Sequence, residues 1–338
     1  MRAKAIRKDD LPTFLEGLRT RYRVFGPVVK DGLTRFAPIQ TGFSLSWDLQ
    51  TKFSSKDILF PRCETLFAYS LGGRDVELRE VKTNLPTSVI FGVPPCEGRS
   101  YTILDSAFLS GDFTDVYYNG RRQSTLMVGI ACTMPWDTCF CTSVGGDPFG
   151  TEGLDLLLKD IGDRYVIEVC TERGKALLEG SVVRDAEESE VDQAREVAKR
   201  AHSLIGMHLD LDDVPRKLEK MFDDPLWNTV YAKCVGCGIC TFLCPTCYCF
   251  DIIDEGRGSK GRRARIWDSC QYPLFTLQGS GHNPRPSGKE RMRQRIMHKF
   301  NYFAKNFRQI ACVGCGRCVR ECPVNLDIRE ILKRVVMS

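Results

Sequence analysis

The run CVGCGICTFLCPTCYC, residues 234–249, places six cysteines in sixteen positions, and CVGCGRCVRECP, residues 312–323, nearly repeats its first twelve. Both read C-x2-C-x2-C-x3-C-P: Cys234, Cys237, Cys240, Cys244 and Pro245, then Cys312, Cys315, Cys318, Cys322 and Pro323. No other feature constrains the chain as much. Three thiols at that interval, on loops carrying Gly236 and Gly238 or Gly314 and Gly316, wrap three corners of a cubane iron-sulfur core and leave the fourth corner to a distant ligand. In two-cluster ferredoxins the last cysteine of each run serves the other run's cluster. The spacing therefore predicts two [4Fe-4S] clusters: one on Cys234, Cys237, Cys240 and Cys322, the other on Cys312, Cys315, Cys318 and Cys244. Each proline turns the chain away after the crossing ligand.

Zinc also uses C-x2-C pairs, but it takes two pairs per ion and gives no reason for a third cysteine at the same interval followed by C-P. A zinc-stabilised nucleic-acid or protein interaction module is the alternative reading. It would use the basic runs RGSKGRRARIW (257–267) and RPSGKERMRQRIMHK (285–299). Such runs more often form a solvated face or a dock for an acidic partner, so no nucleic-acid partner is expected. Seventeen cysteines in a long chain, gathered in C-x2-C clusters, favour metal over a disulfide framework. The N-terminal MRAKAIRKDDLPTFLEGL lacks the apolar core of a signal peptide, and no apolar run is long enough to span a bilayer. The expectation is a cytoplasmic protein without a membrane span.

The fold class expected is α+β. Residues 1–185 read as a mixed α/β sheet domain, with a helix over 9–20 (Leu11, Phe14, Leu15 and Leu18 at helical spacing) and strands at 88–93, 124–132 and 164–170. Residues 186–224 turn acidic and helical and form a connector, with Pro215 suited to a first helical turn. Residues 225–338 form a dicluster ferredoxin domain, and the 67 residues between Cys244 and Cys312 make it largely helical. Met292, Ile296, Phe300 and Phe303 place a helix over 289–307. Its basic residues, Arg291 and Arg295 among them, are expected on the outer face, ready for a partner subunit.

Nine cysteines remain. Cys247, Cys249 and Cys270 read best as reduced thiols packed near a cluster, with a redox-active Cys247/Cys249 pair as the sharper alternative. Cys63 and Cys170 read as packing residues. Cys96 and Cys132 end strand-like segments and Cys139 and Cys141 form a C-F-C just beyond. That layout either gathers four thiolates at one sheet edge or leaves scattered cysteines, since the spacing matches no standard motif. The chain has no G-x-S-x-G, H-E-x-x-H or Walker loop. A protein with clusters but no flavin or nicotinamide site of its own conducts electrons between partners that have them.

RYRVFGPV, VIFGVPPC, DPLW, CVGCGICTFLCPTCYC, RRARIWDSCQ, GSGHNPRP, KERMRQRIMHKF and CVGCGRCVRECP run nearly end to end through the chain. Together they resemble the iron-sulfur β-type subunit of cytoplasmic NAD(P)-linked nickel-iron hydrogenases (sulfhydrogenases) and the similar A subunit of anaerobic sulfite reductase. The resemblance implies a non-catalytic electron-transfer subunit between a flavin- and NAD(P)-binding subunit and a catalytic subunit of hydrogenase or sulfite reductase type. It also implies a third [4Fe-4S] cluster on Cys96, Cys132, Cys139 and Cys141. The chain departs from that family in reading Pro94 and Pro95 before Cys96 and Glu97 after it, which changes the charge around that site.

Overall fold

A strand with no polar face needs cover on both sides, and Ser88–Val93 and Thr125–Ile130 are buried at every position. In the computed structural model, which describes residues 3–40, 51–81 and 85–338, these two lie side by side and parallel inside an eight-stranded mixed sheet. In chain order the strands are β1 (Lys4–Arg7), β2 (Arg23–Lys30), β3 (Leu33–Pro38), β4 (Cys63–Gly72), β5 (Asp75–Glu80), β6 (Ser88–Val93) and β7 (Thr125–Ile130). They continue as β8 (Leu156–Asp160), β9 (Arg164–Val169), β10 (Arg184–Asp185), β11 (Phe250–Arg257) and β12 (Lys260–Trp267). The large sheet runs β10-β1-β9-β8-β7-β6-β2-β3.

Alternation along the central strands divides the core. Val89, Phe91, Val128 and Leu156 meet Leu11, Phe14, Leu15 and Leu18 of helix Leu11–Arg19 on one face. On the other, Ile90, Val93, Met127 and Leu157 meet Tyr101 and Leu104 of helix Pro95–Phe108. The strands expected at 88–93, 124–132 and 164–170 are β6, β7 and β9, and the helix expected over 9–20 is there.

The second sheet, β11-β12-β4-β5, is antiparallel throughout. It takes two strands from each side of the expected boundary at residue 225, so the cysteine-rich part is not purely helical. The basic run 257–267 is strand β12. Its arginines are met by carboxylates: Arg262 with Glu255 at 2.6 Å, Arg263 with Asp254 at 2.7 Å, and buried Arg265 with Glu64 at 2.5 Å. A strand whose positive charges are matched across the ladder is poorly suited to gripping phosphates.

The rest of the C-terminal part is helical. Helices Val214–Lys220, Leu226–Tyr231, Gly288–Met297 and Ile328–Met337 enclose Leu218, Trp227, Met292, Ile296, Phe300 and Leu332, with Cys234 and Cys318 packed on the same core. The helix expected over 289–307 is Gly288–Met297, a π turn over His298–Tyr302, and Phe303–Phe307. Its basic face does not point outward. Arg295 and Lys299 are each only 3% exposed, because both fall beside the apolar row 292, 296, 300. Arg293 covers the Phe222 ring and pairs with Asp223, and Arg291 donates to the carbonyls of Arg285 and Pro286. Of the basic residues expected to dock a partner, Arg295 and Lys299 are buried and Arg291 and Arg293 are engaged within the chain, which leaves that expected role little free charge.

Candidate metal centre

Both C-x2-C-x2-C loops have the same local geometry. Gly236 and Gly238 take φ of 67° and 75°, Gly314 and Gly316 take 64° and 70°, a left-handed conformation that side chains disfavour. The turns aim backbone amides at sulfur: Gly236 N–H donates to Cys234 Sγ at 3.4 Å and Gly314 N–H to Cys312 Sγ at 3.5 Å.

Around the first loop, Cys234, Cys237 and Cys240 line one cavity together with Cys322 and Cys318 of the second run, and Arg295 closes it. Leu326 N–H donates to Cys322 Sγ at 3.2 Å. Cys244 stands apart from its own run. Its charge acts on Cys312 and Cys318, which burial first, with the neighbouring thiols adding to it, pushes up to about 12 and about 11. Cys244 Sγ receives hydrogen bonds from Lys299 Nζ at 3.2 Å and lies 3.1 Å from Thr246 Oγ1. Lys299 Nζ also donates to Thr246 Oγ1 at 3.1 Å and to the Ala311 carbonyl at 2.9 Å. A second buried lysine, Lys56, donates to the carbonyls of Cys244 and Cys247 at 3.0 and 2.7 Å and lies over the Trp267 ring.

The third group sits beyond the carboxyl ends of β6 and β7. Cys132 follows β7, and Cys96 lies in the first turn of helix Pro95–Phe108 rather than at a strand end, since Pro94 and Pro95 stop the strand and open the helix. Cys139 and Cys141 come back over the same edge. Burial first, then the charges of Cys139 and Cys132, push Cys141 up to about 12, while burial takes Cys139 to about 11. Burial and then Cys315 push Cys96 well up, with Cys139 adding a smaller share. Cys139 thus acts on Cys96 and Cys141, Cys132 acts on Cys141, and Cys315 of the second run acts on Cys96 and Cys139. The contact is close: Phe140 N–H donates to the Gly314 carbonyl at 2.8 Å, and Cys139 Sγ lies 3.8 Å from the Cys315 carbonyl oxygen. A Cβ on Gly314 would stand 2.5 Å from the Cys141 nitrogen, and one on Gly316 2.4 Å from Thr138 Oγ1.

Glu97, the departure noted beside Cys96, is fully buried and pairs with Arg317 of the second loop at 2.7 Å. Its other oxygen accepts from Ser54 Oγ, Ser55 N and Ser55 Oγ. The extra acid is therefore neutralised within the chain.

Of the other cysteines, all free thiols, Cys247 neighbours Cys244 and Cys249 neighbours Cys270, so the pair suggested by T-C-Y-C is not the one the fold brings together most closely. Cys63 is exposed at the start of β4, not packed, and Cys170 packs at the edge of the sheet core. The buried ions Lys56, Arg295, Lys299 and Arg317 escaped sequence reasoning as buried groups. Only Arg295 and Lys299 left a signal, at helical spacing beside apolar positions.

These surroundings fit iron-sulfur cores. Burial raises Cys96, Cys139, Cys141, Cys240, Cys312 and Cys318, thiols that would release their protons on binding a metal; backbone amides already point at sulfur, and buried cations stand ready to offset cluster charge. Among the described residues no three His, Cys, Asp or Glu side chains converge on a point suited to one ion, and no helix is long and apolar enough to cross a membrane.

The model of the 4Fe-4S dicluster domain matches residues 233–326. Sulfhydrogenase 2 subunit beta of Pyrococcus furiosus is 31% identical over 344 residues, covering 99% of this chain and 98% of that one. The F420-dependent formate dehydrogenase subunit beta of Methanocaldococcus jannaschii is 21% identical over 182 residues, 51% of this chain and 38% of that one. No solved structure matches significantly. With a dicluster domain and a relative matched nearly end to end, the chain belongs to the family of sulfhydrogenase β subunits, iron-sulfur proteins that serve electron transfer in an oxidoreductase.

Proposed function

We propose that this chain is a three-cluster relay, working in the cytoplasm, between an NAD(P)-linked flavoprotein subunit and a catalytic subunit of hydrogenase or sulfite reductase type. Cys234, Cys237, Cys240 and Cys322 would hold one [4Fe-4S] cluster, Cys312, Cys315, Cys318 and Cys244 a second, and Cys96, Cys132, Cys139 and Cys141 a third. Such clusters supply one-electron transfer without proton chemistry at the metal. The chain's own part is to space them, bury them and set their charge.

One observation carries this reading: the second cysteine loop lies between the other two groups. Cys318 lines the first cavity, while Gly314 and Cys315 carry the contacts to Phe140 and Cys139. A middle site in contact with both neighbours is what a serial relay needs. Names of the relatives support multi-subunit oxidoreductases as its setting, since both are β subunits.

The test is anaerobic purification of the chain and of its Cys139→Ser/Cys141→Ser double variant. The chain should carry about twelve irons and the variant about eight, with the two remaining clusters still reducible by a strong chemical donor. Equal iron in both would remove the third cluster from the scheme.

A further inference from the structure

A cavity beside the segment that follows the first run takes no part in the relay. It holds about 360 Å³ and is lined by Cys249, Cys270, Phe275, Arg285, Arg295 and Lys299 among others, and among the described residues no carboxylate lines it. Cys249 immediately precedes β11 and Cys270 comes just after β12. The ladder of this hairpin is extended by Asp268 N–H donating to the Cys249 carbonyl at 3.0 Å, which holds the two thiols close enough to act on one another. Gln271 Nε2 donates to Cys270 Sγ at 3.5 Å. Both cysteines are half-buried, so they are reachable from the cavity. Arg295 in the wall is 3% exposed, and its Nε has no hydrogen-bond partner. Arg285, Arg295 and Lys299 give the wall a positive charge, and among the described residues no acid offsets it there, which suits an anionic ligand.

We infer that Cys249 and Cys270 form a redox-active thiol pair that exchanges with small anionic disulfides bound in this cavity. Hydrogen bonds to Cys270, first from Cys249 and then from Gln271, hold its thiol down at about 6, while Cys249 is pushed up. Cys270 is therefore the attacking thiolate and Cys249 the resolving thiol. The Cys270 thiolate attacks one sulfur of the disulfide, forming a mixed disulfide and releasing one organic thiolate. Cys249 then attacks Cys270 Sγ, giving up its proton to the released thiolate and expelling the second organic thiolate. The protein dithiol is oxidised by two electrons and the organic disulfide reduced to two thiols. This inference does not depend on the relay.

The probes are 3,3′-dithiodipropionate, a dianionic disulfide, and cystamine, a dicationic one of nearly the same length. The full chain, purified anaerobically, is treated with each, trapped in acid, digested and analysed by mass spectrometry alongside its iron content. Dithiodipropionate should link Cys249 to Cys270 and release two 3-mercaptopropionates per chain with iron retained. It should do so at least about tenfold faster than cystamine, as electrostatic focusing in a cationic cleft requires. Cys249→Ser should stop at a mixed disulfide on Cys270, Cys270→Ser should leave Cys249 unmodified, and Arg285→Gln should slow only the anionic probe. Absence of the Cys249–Cys270 link at full iron content would overturn the inference, as would equal rates with the two probes.

Discussion

Lys299 Nζ, buried in a π turn, donates a hydrogen bond to Cys244 Sγ at 3.2 Å. Burial works against a charged lysine, yet Cys244, Cys247 and Cys312 around it outweigh that cost and hold its pKa well above the ordinary value. A fixed positive charge on a ligand sulfur stabilises the reduced state of the cluster it serves. Lys299→Met should lower the potential of one cluster by about 60 mV, a tenfold change in a one-electron equilibrium, and Lys299→Arg should restore most of it. Redox titration followed by EPR checks this; an unmoved potential in the Met variant means the lysine only packs.

The proposed exchange of fourth cysteines between the two C-terminal clusters is open to a spectroscopic test. Cys322 lines the cavity of the first loop, and Cys244 acts on Cys312 and Cys318. Cys322→Ser should alter the EPR signal of the cluster on Cys234, Cys237 and Cys240, and Cys244→Ser that of the other. If Cys244→Ser instead perturbs the same signal as Cys237→Ser, each run holds its own cluster.

The Glu97–Arg317 pair ties the third site to the second loop. Removing one partner of a buried pair leaves an uncompensated charge and costs about 3–5 kcal/mol. Glu97→Ala should therefore lower the unfolding midpoint steeply and loosen iron at Cys96. Adding Arg317→Met should recover a large part of the midpoint, because the orphaned charge is gone. No recovery would place the cost in the lost serine contacts instead.

His298 gives the stability of this region a pH dependence. Burial first, then Lys299 and Arg285, hold its imidazole down at about 4, and its Nε2 lies 3.2 Å from Tyr248 Oη. A histidine with an ordinary pKa near 6.5 takes up a proton in the unfolded chain well before it does in the fold. The fold is thus favoured above about pH 6.5 and loses stability as the pH falls towards 4, by at most about 3 kcal/mol. His298→Gln should flatten the decline of the thermal midpoint between these pH values. Parallel curves for the two proteins would assign the acid sensitivity elsewhere.

Much of the site was legible in the chain because it is written locally. The interval between Cys234, Cys237 and Cys240, with glycines where the backbone turns left-handed, fixes a thiol-bearing loop whatever surrounds it. The apolar positions of β6, β7 and helix 289–307 are equally local patterns. Tertiary structure decided what distant segments bring together. β5 alternates Val76 and Leu78 with charged residues yet is exposed at every position, and β12 reads as a basic run; their sheet forms through pairing and charges matched across the ladder. Arg295 and Lys299 resemble surface charges until the packed helix turns them towards sulfur. The partner of Cys249 is twenty-one residues away, beyond a hairpin that no spacing announces. Local sequence sets φ, helical face and loop shape, whereas long-range pairing alone sets which thiols and ions share a cavity.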